Sequence, residues 1–258
     1  MVNVHNNFVK RYSLTNYGGI KWTFLTGFEQ VVTNGISTYY AIEFSQPSVI
    51  VIFNQFWIYQ YSQPLPFNYT YAAKYVGGYF YFSSDNYFYK TYSNFALLSS
   101  YKTAGAAYRQ LFYDSATSKF YVAPFTFPRI DVFDTSCTLL QSISLGTRVP
   151  FGVVAFNGSI YATDLNSNQV LVIKDGLVSR NFFINQCDST QFSLFSITVD
   201  LFGNLAFACN ANNLSVVYDS NGNYTYASKQ TSAYPSISAI DTHGRFVMIT
   251  KLSLDIYY

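Results

Sequence analysis

The chain has 258 residues, and its 15 Lys and Arg against 13 Asp and Glu give a formal charge of +2, which excludes binding to a nucleic acid or other polyanion by bulk charge. Charged residues are only 11% of the chain while Tyr and Phe contribute 25 each, so the surface must be built from Tyr, Asn, Gln, Ser and Thr rather than from the roughly 25% of charged side chains usual in soluble domains. The longest aliphatic and aromatic run, Val49 to Phe53, is far shorter than the roughly 20 residues of a membrane-spanning helix, and no basic stretch followed by an apolar one opens the sequence, so neither membrane insertion nor a secretory signal is expected.

The first strand-like run is Phe8 to Leu14. From there a device recurs along the chain: an apolar strand, a tight turn and a second apolar strand. Val31-Val32-Thr33-Asn34-Gly35 begins one copy, and Val76-Gly77-Gly78-Tyr79-Phe80-Tyr81 another. Leu111 to Asp114 with Lys119 to Val122 is the third copy, and Val153 to Phe156 joins Ser159 to Ala162 through Asn157-Gly158. Ile197 to Leu205 and Ile237 to Phe246 complete the set. Taking residues 34, 76, 114, 157, 200 and 241 as equivalent, the spacings are 42, 38, 43, 43 and 41, a period in the range of repeat architectures.

Two more short strands follow each hairpin. The third strands are Val49 to Phe53, Phe88 to Tyr92, Ile130 to Phe133, Val170 to Ile173, Leu214 to Tyr218 and Leu252 to Tyr257. The fourth are Phe56 to Tyr61, Phe95 to Tyr101, Thr138 to Ile143, Leu177 to Phe182 and Tyr224 to Ser228. A four-stranded unit of this size cannot bury both faces alone, and radial packing of such units gives an all-β, six-bladed β-propeller of antiparallel blades. One domain over residues 1–258 is expected, with blades near 24–61, 69–101, 109–143, 150–182, 194–228 and 235–258. The last unit lacks a fourth strand. Residues 2–14 would supply it and close the ring, removing an exposed edge.

Pro150-Phe151-Gly152-Val153-Val154-Ala155, Ile160-Tyr161-Ala162-Thr163-Asp164 and Asn168-Gln169-Val170-Leu171-Val172 resemble an NHL repeat, with Ser196 to Asn223 a looser copy. The resemblance implies the propeller fold and leaves function to be argued from the site. In such a meander the connections between units and the loops between second and third strands share one face, the top. That face collects Trp22, Phe67, Tyr69, Phe125, Phe127 and Tyr234 with Arg109, Arg129 and Arg148, residues suited to stacking on a sugar or to protein recognition.

Catalysis has fewer candidates. His5 and His243 fall in turns of the opposite face, which removes the base that a lyase-like propeller would use. Calcium-dependent propeller lactonases hold their metal with Glu, Asn and Asp, and Glu29, Asn185 and Asp188 are the matching residues here. Asp114, Asp200 and Asp241 sit in hairpin turns, where a carboxylate accepts backbone N–H groups. No cofactor fingerprint is present. Cys137, Cys187 and Cys209 allow either one bridge, between Cys187 and Cys209, or three buried thiols. Asn68, Asn157, Asn213 and Asn223 lie in glycosylation sequons, in or beside expected loops.

A surface poor in ion pairs is resistant to acid, and in composition the chain resembles external proteins of heat- and acid-loving archaea and their viruses. The expected function is a non-enzymatic exposed propeller that mediates attachment or assembly as a virion or cell-surface subunit, binding protein partners or glycans. A top-face hydrolase or lyase is the alternative, and a secreted eukaryotic interaction domain the third.

Overall fold

Runs of Val, Ile, Tyr, Phe and Thr favour a pleated backbone, which satisfies its peptide groups only by pairing with neighbours. A computed structural model of the chain describes residues 9–13, 28–33, 38–43, 47–54, 59–187, 194–209, 214–229, 236–240, 246–249 and 253–257. Strand β1 is Val9–Ser13. The first sheet consists of β2 (Phe28–Thr33), β3 (Thr38–Glu43), β4 (Val49–Asn54) and β5 (Tyr59–Pro64); the second of β6 (Thr70–Val76), β7 (Tyr79–Ser84), β8 (Tyr87–Tyr92) and β9 (Leu97–Lys102). The third holds β10 (Tyr108–Asp114), β11 (Lys119–Pro124), β12 (Arg129–Phe133) and β13 (Leu139–Ser144), and the fourth β14 (Pro150–Phe156), β15 (Ser159–Asp164), β16 (Gln169–Lys174) and β17 (Leu177–Phe183). The fifth is β18 (Leu194–Val199), β19 (Leu205–Cys209), β20 (Leu214–Tyr218) and β21 (Tyr224–Lys229). The last described strands are β22 (Ser236–Ile240), β23 (Phe246–Ile249) and β24 (Ser253–Tyr257), with β1 antiparallel to β24. All pairings are antiparallel and join consecutive strands except that of β1 with β24, and no described helix interrupts them.

The first strands of the sheets lie side by side: β6 against β2 and β10, β14 against β10 and β18, and β22 against β18 and β2. The second, third and fourth sheets therefore have both faces covered, and the described core is a series of layers between neighbouring sheets. This is why third strands such as Val49–Asn54 and Gln169–Lys174 read as nearly unbroken apolar runs rather than as alternating ones. The layers between the first three sheets are aromatic: Phe80, Phe82 and Phe95 fill one, and Tyr81, Phe88, Phe120 and Phe133 the next, with the Tyr81 and Phe120 ring centroids 4.2 Å apart. Between the fourth and fifth sheets the layer is mostly aliphatic, from Val154 and Val172 to Ile197, Leu205 and Val216. Much of the chain's aromatic content is thus core.

The turns repeat as well. Asn157 and Gly158 have φ of 49° and 74°, the two left-handed residues that a two-residue hairpin requires. Asp134 Oδ1 accepts the backbone N–H groups of Ser136 and Thr138 at 2.8 Å each, and Asp219 Oδ1 those of Asn221 and Asn223 at 2.9 and 2.8 Å. Asp114 and Asp200 act in the same way, the turn role expected of them; Asp241 lies outside the described residues. These turns also join sheets. Tyr81 Oη and Lys90 Nζ of the second sheet donate to the Thr135 carbonyl of the third, and Tyr161 Oη and Arg180 of the fourth donate to the Ser220 carbonyl of the fifth. Boundaries differ from expectation at two fourth strands, and β5 runs to Pro64 rather than ending at Tyr61. Strand β9 starts at Leu97 rather than at Phe95, because Phe95 takes a left-handed φ of 65° and turns its ring into the core.

Candidate ligand-binding site at the start of the first strands

Every described first strand carries an irregularity in its first residues. Pairing with the second strand shifts between Phe28 and Gln30, Thr70 and Ala72, Tyr108 and Gln110, Pro150 and Val153, Leu194 and Ser196, and Ile237 and Ala239. A bulge re-aims the residue it skips. The skipped positions, Glu29, Tyr71, Arg109, Phe151, Phe195 and Ser238, therefore occupy one equivalent place at the top of adjoining strands. Gly152 is skipped with Phe151.

Arg109 is the cation in this set, and Glu29 its carboxylate. The Arg109 Cζ lies 3.9 Å from the centre of the Tyr71 ring, 4.6 Å from that of Phe125, in the turn after β11, and 6.0 Å from that of Phe151. Two sheets and one turn thus supply the aromatic surround. The Arg109 Nε is buried and has no hydrogen-bond partner among the described residues. Tyr71 is held in turn by its hydroxyl, which donates to Asp85 Oδ1 in the turn after β7. The side chain of Gln110 runs the other way: its Nε2 donates to the Ile197 carbonyl of the fifth sheet at 2.7 Å, and its Oε1 is buried without a partner. Thr70 Oγ1, beside Tyr71, is the remaining orphan among the described buried side chains. All three orphaned atoms belong to residues at the top of β6 and β10.

The two other candidate arginines are occupied. Arg129 Nε contacts Asp131 Oδ1 at 3.0 Å, and its Cζ stands 5.0 Å from the Phe127 ring. Asp131 is fully buried and also accepts from Tyr108 Oη at 2.7 Å and Ser142 Oγ at 2.5 Å, so this group ties the third sheet together. Burial, then the Asp131 charge, pushes the Tyr108 phenol well above its ordinary pKa. Arg148 donates to Gln169 Oε1.

Among the aromatic candidates, Phe67 requires a correction. It is 6% exposed and stacks on Tyr89 at 4.3 Å within the core between the first two sheets, because the connection after β5 folds inward. It offers no open face. Tyr69, with φ 51°, is half-buried beside it. Trp22, Tyr234, Asp188 and Asn213 lie outside the described residues, as do His5 and His243, and of Glu29 only the backbone is described. Asn185 is exposed in the turn after β17. Among the described residues no group of three His, Cys, Asp or Glu is placed to hold a metal. A disulfide joins Cys187 to Cys209, with Cα atoms 5.3 Å apart, linking the connection after the fourth sheet to the second strand of the fifth. Cys137 is buried and free, its thiol pushed up to about 11, chiefly by burial. Of the sequon residues, Asn68, Asn157 and Asn223 are exposed, and Asn223 Nδ2 donates to Asp219.

Sequence reading named Arg109 and Phe125 but missed Tyr71, Asp85 and Phe151. The six skipped positions follow the repeat period, yet their residue types differ, so no side-chain signal marks them.

No protein-family model and no curated protein sequence matches the chain. Solved structures do. The chain is similar to the WD40 β-propeller domain of Doa1, with a TM-score of 0.67 and 10% identity over 97% of each chain. It is also similar to streptogramin B lyase, with a TM-score of 0.71 and 11% identity over 98% of each. The chain folds as a β-propeller. At these identities the likeness is one of fold, so the chemistry must be read from Arg109 and its surround.

Proposed function

We propose that this propeller is a non-enzymatic recognition module that engages a protein or glycan partner through its top face, as an exposed subunit of a virion or a cell surface. In this reading the sheets are the six blades of a closed ring of NHL-like units within one domain, with β1 as the outermost strand of the sixth. The pairing of β1 with β24 and the contact of β2 with β22 support that closure. The observation that carries the function is Arg109: a guanidinium beside aromatic rings at the top of the first strands, with its buried Nε unpartnered among the described residues. A folded protein rarely keeps such a group without use, because buried donors cost free energy when unpaired. The Cys187–Cys209 bridge supports an oxidising, external setting, as does a surface in which Asp side chains serve turns more than ion pairs.

The test is binding to peptide and glycan arrays by the intact chain, Arg109→Gln and Phe125→Ala. Specific ligands that both variants lose are expected; ligands retained by both would refute a top-face recognition role. Calcium supplies the competing outcome, since a metal site built from Glu29, Asn185 and Asp188 would raise the melting temperature with calcium and lose that gain in Glu29→Gln.

A further inference from the structure

We propose that Arg109 anchors a single carboxylate, carried by an Asp or Glu side chain on an extended segment of a partner protein. The inference rests on the recognition role just proposed and names its chemistry.

The geometry restricts what can reach the guanidinium. Tyr71 and Phe125 lie 3.9 and 4.6 Å from Cζ, close enough to cover its faces and leave its in-plane edge, where the N–H groups point. A planar acceptor with two oxygens matches that edge as a fork matches a fork. The buried Nε has no acceptor among the described residues, so the cluster of Arg109, Tyr71 and Phe125 offers a donor and lacks an anion. An ionised carboxylate brings acceptors and no donor, so it answers the guanidinium alone.

Charge narrows the class. Asp85, held by the Tyr71 hydroxyl, stands beside this cluster, so Arg109 and Asp85 together sum to zero. A monoanion gains the Arg109 contact at modest repulsion, whereas a phosphate dianion doubles its repulsion from Asp85. The rings decide between a peptide and an acidic sugar. A sugar ring is bound by stacking on an open aromatic face, and Tyr71 and Phe125 already turn theirs to Arg109. A carboxylate on a flexible stem needs only the edge.

The Arg109 side-chain Nε–H resonance reports the contact directly. With the full chain, N-acetyl-glutamate amide should shift it saturably, while N-acetyl-glutamine amide should not, and phosphate and galacturonate should bind more weakly. Arg109→Lys should weaken the glutamate probe by about ten-fold or more, since a point charge replaces the fork. Asp85→Asn should narrow the gap between phosphate and glutamate. Equal shifts from the glutamine probe, or phosphate or galacturonate binding as tightly as glutamate in the unaltered protein, would overturn the proposal, and neither result depends on a variant folding. A glutamate-specific titration with blank arrays would keep this site and defeat the recognition role. Array binding that survives Arg109→Lys unchanged would defeat the site alone.

Discussion

Gly152 offers a sharp test of how the first strands are held together. A Cβ at this position would lie 2.4 Å from Gln110 Oε1, 2.9 Å from Ile197 Cγ2 and 3.1 Å from Thr163 Oγ1. The end of a glutamine ordinarily swings aside at little cost, but Gln110 is pinned by the 2.7 Å bond from its Nε2 to the Ile197 carbonyl across the fourth sheet. Gly152→Ala must therefore break that bond or crowd Ile197. Leaving the carbonyl unpaired costs about 1–3 kcal/mol, and crowding a packed site costs about the same. The expected loss is about 2–4 kcal/mol, or roughly 10 °C in melting temperature for a chain of this size. In a Gln110→Ala background the nearest clash is gone, so the same substitution should cost at least about 1 kcal/mol less. Urea and thermal melts of the four proteins complete the cycle. Costs that add to within about 0.5 kcal/mol would show that Gln110 is not what keeps residue 152 a glycine.

The Cys187–Cys209 bridge closes a sequence separation of 22, worth about 3 kcal/mol by loop entropy; reductant or Cys209→Ser should lower the melting temperature, and an unchanged melt would refute that contribution. Asp219 is drawn below its ordinary value although slight burial opposes it, because Asn223, Asn221 and Gly222 donate to it. Its small contribution should be full above about pH 4 and fade as pH falls through its lowered value, so Asp219→Asn should melt below the unaltered protein at pH 6 and match it near pH 2. Burial raises Tyr40, Tyr81, Tyr89, Tyr108, Tyr121, Tyr218 and Tyr226, so their contribution is present below pH 10 and lost above it as the unfolded phenols ionise first; a chain that loses more stability between pH 7 and 3 than between pH 9 and 11 would contradict this. If β1 closes the ring, deleting residues 1–13 should expose the edge of β24 and broaden or lower the melt, and an unchanged melt would exclude closure by this strand.

The fold was legible because its signals are local and repeat. Asn157-Gly158 specifies its own turn, and Val170 to Ile173 is an apolar run too short for a helix and too continuous for a half-exposed strand. Asp114 and Asp200 were legible as turn acceptors for the same reason, since Asp bonds its own backbone neighbours. The site was not legible in this way. Arg109, Arg129 and Arg148 look alike in sequence, and what separates them is distant: Asp131 for one, Gln169 for another, aromatic rings from other sheets for the third. Phe67 and Phe125 both occupy loops, yet one loop folds into the core and the other stays at the rim. Pattern along the chain cannot decide between these outcomes because the deciding partner lies in another sheet.

The bulges explain how the top of the first strands can vary in residue type without a change of fold. On either side of each skipped residue the strand is committed: Ala72 and Ala73 after Tyr71, Leu111 just beyond Gln110, and Val153 and Val154 after Gly152 are all buried in the layers between sheets. A substitution there alters the volume of a packed layer and carries the cost of a cavity or a clash. At Tyr71, Arg109 and Phe151 the bulge takes the skipped residue out of the alternation that assigns side chains to faces. Tyr71, Arg109 and Phe151 can therefore differ in charge, size and polarity while backbone pairing before and after them stays the same. The constraint appears only where such a residue reaches a neighbour, as Tyr71 does through Asp85 and Arg109 through Phe125. Packing and freedom to vary are thus assigned to adjacent residues of one strand, and it is the hydrogen-bond register, rather than the residue type, that decides which is which.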